Sequence, residues 1–469
     1  MSLVVMKFGG TSVEDPAAIR RTASIVAGRV ALGKQPVVVV SAMAKVTDAL
    51  LGAAACSEQG DRDGALALTA QLRRRHRETA AALVKDSATL ADLTAFIESE
   101  FDSLDEVLRG LAAILELTPR ISDLIVSHGE RLSSRIVSAA FRELAITAAH
   151  VDAREVIVTD SQFQKAIPID ALIEQRAQTI ILPLTAQGLV PVMGGFIASN
   201  EAGITTTLGR GGSDFTGALV GGAIQAEAIE IWTDVDGILT ADPRVVPGAF
   251  RVKTISFEEA AELAYFGAKV LHPATILPAV KKNIPVLVLN SRNAACEGTR
   301  ITSLAPPCKS PFKSIAVKKK LSIIDVVASR MLMTHGYMKE IFTVFDKHKC
   351  AVDMVSTSEV SVSLTVDSKE NLPALADDLG QLADVKYEGG KALICLVGDD
   401  IRGQNGIAAQ VFAAIRHINV RMISQGASEI NMSFMIDEED ADEAVRSLHA
   451  AFFQDPDPAI FDVDARKTK

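Results

Sequence analysis

Six short apolar runs, each closed by a turn or polar residue, restrict the architectures open to this sequence. They are VVMKF (residues 4–8), PVVVVSAM (36–43), DLIVSHG (123–129), LVPVMGGFIA (189–198), EIWTDV (230–235) and IPVLVLN (284–290). A strand with one solvated face alternates apolar and polar residues; a run without alternation reads as buried on both faces. Helical patterns lie between the runs, such as RLSSRIVSAAFREL at 131–144 and FEEAAELAYFGAKVL at 257–271. The alternation predicts an α/β fold, an open and mainly parallel sheet covered by helices on both faces. Residues 61–117 read as a charged, amphipathic helical insertion, a lid or a lobe packed on that sheet.

Two glycine turns carry chemistry. In TTTLGRGGSDFTGALVGG, residues 205–222, Gly209, Gly211 and Gly212 let the backbone turn sharply and approach a ligand. Ser213 reads as the N-cap of a small-residue helix whose first N–H groups form an anion site. Arg210, in the turn itself, offers a two-toothed donor for a carboxylate or a phosphate. At the other place, Lys7 closes the first strand and Gly9-Gly10-Thr11-Ser12 turn into a helix. Open α/β sheets bind ligands at the carboxyl ends of their strands. An ammonium beside bare N–H groups there suits nucleotide phosphates. No GxxxxGK[ST] loop occurs, so the phosphate site is not a P-loop.

KFGGTS (7–12), SHGERLSS (127–134), TTTLGRGGSDFT (205–216) and WTDVDGILTADPR (232–244) together resemble the amino-acid kinase superfamily. With FGAKVLHP (266–273) added, the chain is similar to the aspartate kinases, through nearly its whole length and in the same motif order. The resemblance implies transfer of the ATP γ-phosphoryl group to the β-carboxylate of L-aspartate, the first step towards lysine, threonine and methionine. That acceptor has a pKa of about 4 and is ionised at neutral pH, so no general base is required. Catalysis then rests on positioning and charge neutralisation. By resemblance the catalytic residues are Lys7, Arg210 and Asp214. Ser41, Thr47, Glu130, Thr207 and Arg210 hold aspartate, and Glu130, read at a strand end, takes the ammonium. Lys7, Gly9, Gly10, Ser213, Thr233, Asp234, Asp242, Arg244 and Lys269 bind ATP, with Mg²⁺ arriving on the nucleotide. Position alone leaves Glu130 and Asp214 open as first-turn helix acids, and Asp234 and Asp242 as turn formers. Two positions depart from the family pattern: Leu239 stands where some relatives carry an aromatic residue, and Lys45 and Asp48 stand where Gly and Asn are frequent.

The composition breaks at SLAPPCKSPFKS, residues 303–314, and a strand–helix–strand–strand–helix series then occurs twice. Both repeats resemble ACT domains, amino-acid-sensing βαββαβ modules. The expected boundaries are 1–302 for the kinase domain, 303–313 for a linker, 314–389 for the first ACT domain and 390–469 for the second. Because the second repeat lacks a closing strand, the strand at 314–320 is assigned to it, with the first module inserted within the second. The first module is similar to that of lysine-sensitive aspartate kinases. This implies L-lysine as effector on Met331, Thr334, Gly336, Asp353, Thr357, Ser358 and Glu359, with a homodimer, or a larger assembly, formed through the ACT domains. A polar strand junction and methionine core filler account for the same residues without an effector.

The net charge of −10 argues against nucleic-acid and anionic-membrane partners. The absence of a signal segment or long apolar run points to the cytoplasm. Five cysteines without a CxxC pair read as reduced thiols, and the eight scattered histidines offer no metal site. His272 reads as a packed or capping residue. Another amino-acid kinase, a non-catalytic sensor on the same scaffold, and a fusion with homoserine dehydrogenase are the competing readings. The paired motifs, the intact Lys7, Glu130, Arg210 and Asp214, and the short tail weigh against them in turn.

Overall fold

A computed structural model describes residues 2–267, 273–328, 335–367, 371–426 and 428–463. Lys269, His272, Met331 and Thr334 lie outside the described residues. The chain forms two compact units, Met1–Ile238 with Thr254–Phe257 and Val270–Ala305, and Leu239–Lys253 with Glu258–Lys269 and Pro306–Lys469.

The first unit is built on an eight-stranded sheet. Its order is Thr254–Ser256, Thr299–Thr302, Val286–Asn290, Ala228–Thr233, Ser2–Phe8, Lys34–Val40, Val190–Gly194 and Ala148–Val151. All neighbours are parallel except Val286–Asn290 with Thr299–Thr302. The central strands are buried on both faces: Val4, Val5, Met6, Phe8 and Val37 to Val40 are all inaccessible or nearly so. The expected run at 189–198 breaks into Val190–Gly194 and Ile197–Asn200, the second part entering a three-stranded sheet with Val158–Thr159 and Thr205–Thr207.

One expected strand is wrong. Residues 123–129 lie inside the helix Pro119–Glu143, started by Thr118, whose hydroxyl oxygen accepts from Ile121 N–H, and by a proline in the first turn. Ile125, Val126, His128, Gly129, Glu130 and Leu132 are all buried. A helix covered on nearly every side loses its 3.6-residue apolar period and reads like a central strand. Glu130 is therefore on a helix, not at a strand end.

The insertion folds as Arg62–Leu83 and Ser87–Ile114, capped by Asp61 and Asp86. Leu72, Leu83, Leu93, Ile97, Phe101 and Leu104 join one core cluster with Val38 and Val40, so the insertion is a packed lobe. No described helix is long and apolar enough to cross a membrane.

The second unit holds a six-stranded antiparallel sheet. Its order is Val355–Thr357, Ser361–Asp367, Ser314–Val327, Asp384–Val397, Asn431–Asp437 and Val420–Gln425. The two long central strands serve both repeats. Ser314 to Lys318 pair with Leu393 to Val397, and after a register shift around Leu321 the rest pairs with Ser361–Asp367. Lys320 sits at this irregularity with φ 62°. Helices Tyr337–Lys347 and Leu372–Gly380 accompany one half, Ile407–Ala414 and Ala441–Phe452 the other. Leu239–Lys253 and Glu258–Lys269 fold with this unit although they precede the proline-rich segment. Lys313 and Glu259 form an ion pair at 2.7 Å, with side chains 1% and 3% exposed.

Candidate active site

A cavity of about 590 Å³ opens in the first unit, at the carboxyl ends of Ser2–Phe8 and Lys34–Val40. Lys7, Gly10, Ser41, Thr47, Glu130, Thr207, Arg210, Ser213 and Asp214 all line it, bringing together residues spread over two hundred positions.

Lys7 is 8% exposed, and its Nζ lies 2.6 Å from Asp214 Oδ1. A buried ammonium needs a partner. The glycine turn supplies it by starting the helix Gly212–Ala223 beside the first strand; Gly217 passes this strand so closely that a Cβ would lie 3.4 Å from Lys7 Cβ. Gly209 (φ 75°) and Gly211 (φ 73°) take left-handed conformations, and Gly211, not Ser213, is the N-cap. Ser213 and Asp214 thus occupy the first turn, and their N–H groups have no internal acceptor among the described residues. Gly10 N–H is equally unengaged there, and a Cβ at Gly10 would lie 2.9 Å from the Ala42 carbonyl oxygen. Gly9 differs from expectation: its N–H donates to the Trp232 carbonyl at 3.0 Å, and it does not line the cavity.

Glu130 lies wholly inside. Its Oε1 accepts from Ala42 N–H at 3.1 Å, while Oε2 is buried without a partner among the described residues. Burial pushes its carboxyl up to about 8, against the opposing pull of the Ala42 N–H and the Lys7 ammonium. Gly129 lets this helix approach, since a Cβ there would lie 2.9 Å from Ala42 Cβ. The guanidinium of Arg210 is exposed and has no ion-pair partner among the described residues. Lys45 takes φ 67° to start the helix Val46–Glu58, a conformation that favours glycine, and this presents Thr47 and Asp48 to the cavity.

Sequence reasoning missed several lining residues, Phe196 and Asp123 among them. Phe196 holds φ 65°, with its N–H donating to Thr216 Oγ1. Asp123, 1% exposed, accepts from Thr207 Oγ1 at 2.7 Å, Thr207 N–H at 3.0 Å and Gln164 N–H at 2.9 Å. Its carboxyl is raised by burial, an effect those hydrogen bonds oppose. The signal in the sequence was an acid at the head of an apolar run, which loses meaning once the run is taken as a strand.

The remaining nucleotide candidates are not gathered here. Thr233 and Asp234 close the strand Ala228–Thr233 without lining the cavity. Asp242 and Arg244 belong to the second unit, where the guanidinium grips the carboxylate with a closest contact of 2.6 Å. That fork holds the Asp242 carboxyl below its ordinary value.

The amino acid kinase family matches residues 2–290, and the ACT domain matches residues 324–376 and 394–452. The lysine-sensitive aspartokinase 3 of Escherichia coli is 38% identical over 472 residues, covering 96% of this chain and 99% of the relative. The chain belongs to the aspartokinases. Aspartokinase 2 of Arabidopsis thaliana chloroplasts is 36% identical over 96% of this chain and 84% of its own length. The crystal structure of Escherichia coli aspartokinase III in complex with aspartate and ADP superposes with a TM-score of 0.83 at 37% identity, covering 96% of this chain and all of that one. The same enzyme in complex with lysine and aspartate gives 0.82.

In this aspartokinase the expected effector residues fall in the second unit. Gly336 caps the helix Tyr337–Lys347 with φ 84°. Thr357, Ser358 and Glu359 are exposed at the edge strand, where Ser358 Oγ meets Ser361 Oγ at 2.7 Å. Asp353 is already engaged. Its side chain is 6% exposed, with Lys318 Nζ 2.7 Å from Oδ2 and the Tyr265 hydroxyl 3.2 Å from Oδ1.

Proposed function

We propose that this chain phosphorylates the β-carboxylate of L-aspartate with ATP, giving 4-phospho-L-aspartate and ADP, and that L-lysine inhibits it through the first ACT module. The observation that carries this reading is the cavity's opposed polarity. Glu130, whose buried Oε2 has no partner among the described residues, lines the same cavity as Arg210, which has no ion-pair partner among them, and the Lys7–Asp214 pair. An amino acid bearing an ammonium and two carboxylates complements all three.

Glu130 and the hydroxyls of Ser41, Thr47 and Thr207 orient the acceptor, and Arg210 holds one carboxylate with its fork. The other carboxylate oxygen attacks the γ-phosphorus, the bond to the bridging oxygen breaks, and ADP leaves; no proton moves. Lys7 neutralises charge on the transferring group and Asp214 keeps its ammonium in place. The N–H groups of Gly10, Ser213 and Asp214 add donors aimed at the same region. Among the described residues no group of three acidic, histidine or cysteine side chains could hold a resident metal. Mg²⁺ fits instead as an ion carried by the phosphates, with Asp214 the carboxylate beside Lys7. When bound it supplies further charge neutralisation.

A homodimer is supported by the edge strand Val355–Thr357, with Val355 and the nearby Val360 38% and 40% exposed. A cytoplasmic setting is supported by five cysteines that stay unpaired.

ATP turnover with L-aspartate, trapping the acyl phosphate with hydroxylamine, tests the reading with and without L-lysine. Aspartate-dependent hydroxamate that falls with lysine is the expected result. Lys7→Ala should lower kcat at least a hundredfold, whereas Arg210→Ala should chiefly raise the aspartate KM, by about tenfold or more. No hydroxamate from the wild-type chain overturns the kinase assignment.

A further inference from the structure

We infer that Asp123 is a positioning residue that sets the separation between the ammonium-binding and carboxylate-binding ends of the acceptor cavity, and so selects aspartate over its longer homologue. The inference rests on the acceptor reading above.

Asp123 and Glu130 lie seven residues apart on Pro119–Glu143, hence on one helix face about 10 Å apart along the axis. Both line the cavity. From that face Asp123 reaches across to two other segments. Its Oδ2 accepts the N–H of Gln164 and that of Thr207, and its Oδ1 accepts the Thr207 hydroxyl. Gln164 holds φ 69°, and its carbonyl oxygen would lie 2.9 Å from a Cβ at Gly209. Ala166 N–H then donates to the Thr207 carbonyl at 3.0 Å. One buried carboxylate therefore ties the Glu130 helix to the strand Thr205–Thr207 and to the turn that presents Arg210.

The same contacts set the polarity of Thr207. Its hydroxyl hydrogen is committed to Asp123, so the lone pairs of Oγ1 are what it offers a ligand. Glu130 lines the same cavity, and an acceptor there suits an ammonium. With that end fixed on the helix and Arg210 fixed on the turn, a substrate one methylene longer must bend or displace a wall. Such discrimination by fit amounts to about 10–200-fold in rate.

Asp123→Ala removes all three bonds. It should raise the aspartate KM about tenfold or more, lower the preference for L-aspartate over L-glutamate by a similar factor, and leave the ATP KM within about twofold. Asp123→Asn can still accept both N–H groups through its carbonyl oxygen, so it should recover most of the preference while the aspartate KM stays raised. Should Asp123→Ala fail to fold, Thr207→Val cuts the hydroxyl bond alone, and the same shift, smaller, is expected. An unchanged aspartate-to-glutamate ratio, or an ATP KM that rises equally, overturns the inference. A wild-type chain that makes no aspartyl phosphate overturns the acceptor reading instead.

Discussion

Lys7 and Glu130 show how a single side chain is tuned by what surrounds it. Lys7 lies buried with Asp214 2.6 Å away, whereas Glu130 has an N–H donor on one oxygen and, among the described residues, none on the other. Its carboxyl titrates at about 8 in the folded protein against 4.5 for an ordinary glutamate. Between these values the native state holds a proton that the unfolded chain has released. The contribution of Glu130 to stability is therefore greatest below about pH 4.5, declines as pH rises to about 8 and is flat above. Glu130→Gln should be more stable than wild type by an amount that grows over that window, as urea titrations at pH 5 to 9 can read. A substrate ammonium requires the ionised form. Aspartate binding at pH 7 should thus release a proton, and calorimetry in buffers of different ionisation enthalpy measures it. Uptake, or no exchange, contradicts the assignment of Glu130 to the ammonium.

At the scale of elements, close approach between backbones positions the site. A Cβ at Gly195 would lie 2.7 Å from Ser213 Cα, so the kink after Val190–Gly194 is pressed against the helix start that carries Asp214. Gly195→Ala should cost about 1–3 kcal/mol of stability, read as a lower denaturation midpoint, and should lower kcat by shifting Asp214 against Lys7. Gly28, exposed in Pro16–Ala31 with nothing within 4 Å of an added Cβ, is the control. There Ala should be neutral or stabilising by up to about 1 kcal/mol. Equal losses at both positions would show that packing against Ser213 is not what demands the glycine.

At the scale of the whole molecule, segments distant in sequence share a unit. Glu258–Lys269 folds with the ACT sheet, where Glu259 meets Lys313 and Tyr265 meets Asp353. Asp353 is the carboxylate expected to receive an effector ammonium, yet Lys318 already provides one. A lysine effector received by Asp353 would then displace an internal lysine. Lys318→Met should lower the L-lysine concentration giving half inhibition, and Glu359→Ala should raise it at least tenfold, a coupling of about 1–3 kcal/mol. Turnover without lysine should stay the same in both. Inhibition curves that coincide with wild type would remove these residues from the effector site.

The sequence by itself determined the layered α/β unit, the tandem βαββα pattern and most of the cavity lining. Uninterrupted apolar runs and paired glycine turns are local signals, written within a few residues. Tertiary structure alone decided the rest. Helix Pro119–Glu143 reads as a strand because burial on nearly every side erases its period. Gly9 loses its N–H to Trp232, and Asp353 is claimed by Lys318, through neighbours more than thirty positions away. Asp123 carried no motif at all. Its importance lies in three hydrogen bonds to segments forty-one and eighty-four residues away, and no local pattern encodes a partner that only folding brings within 3 Å.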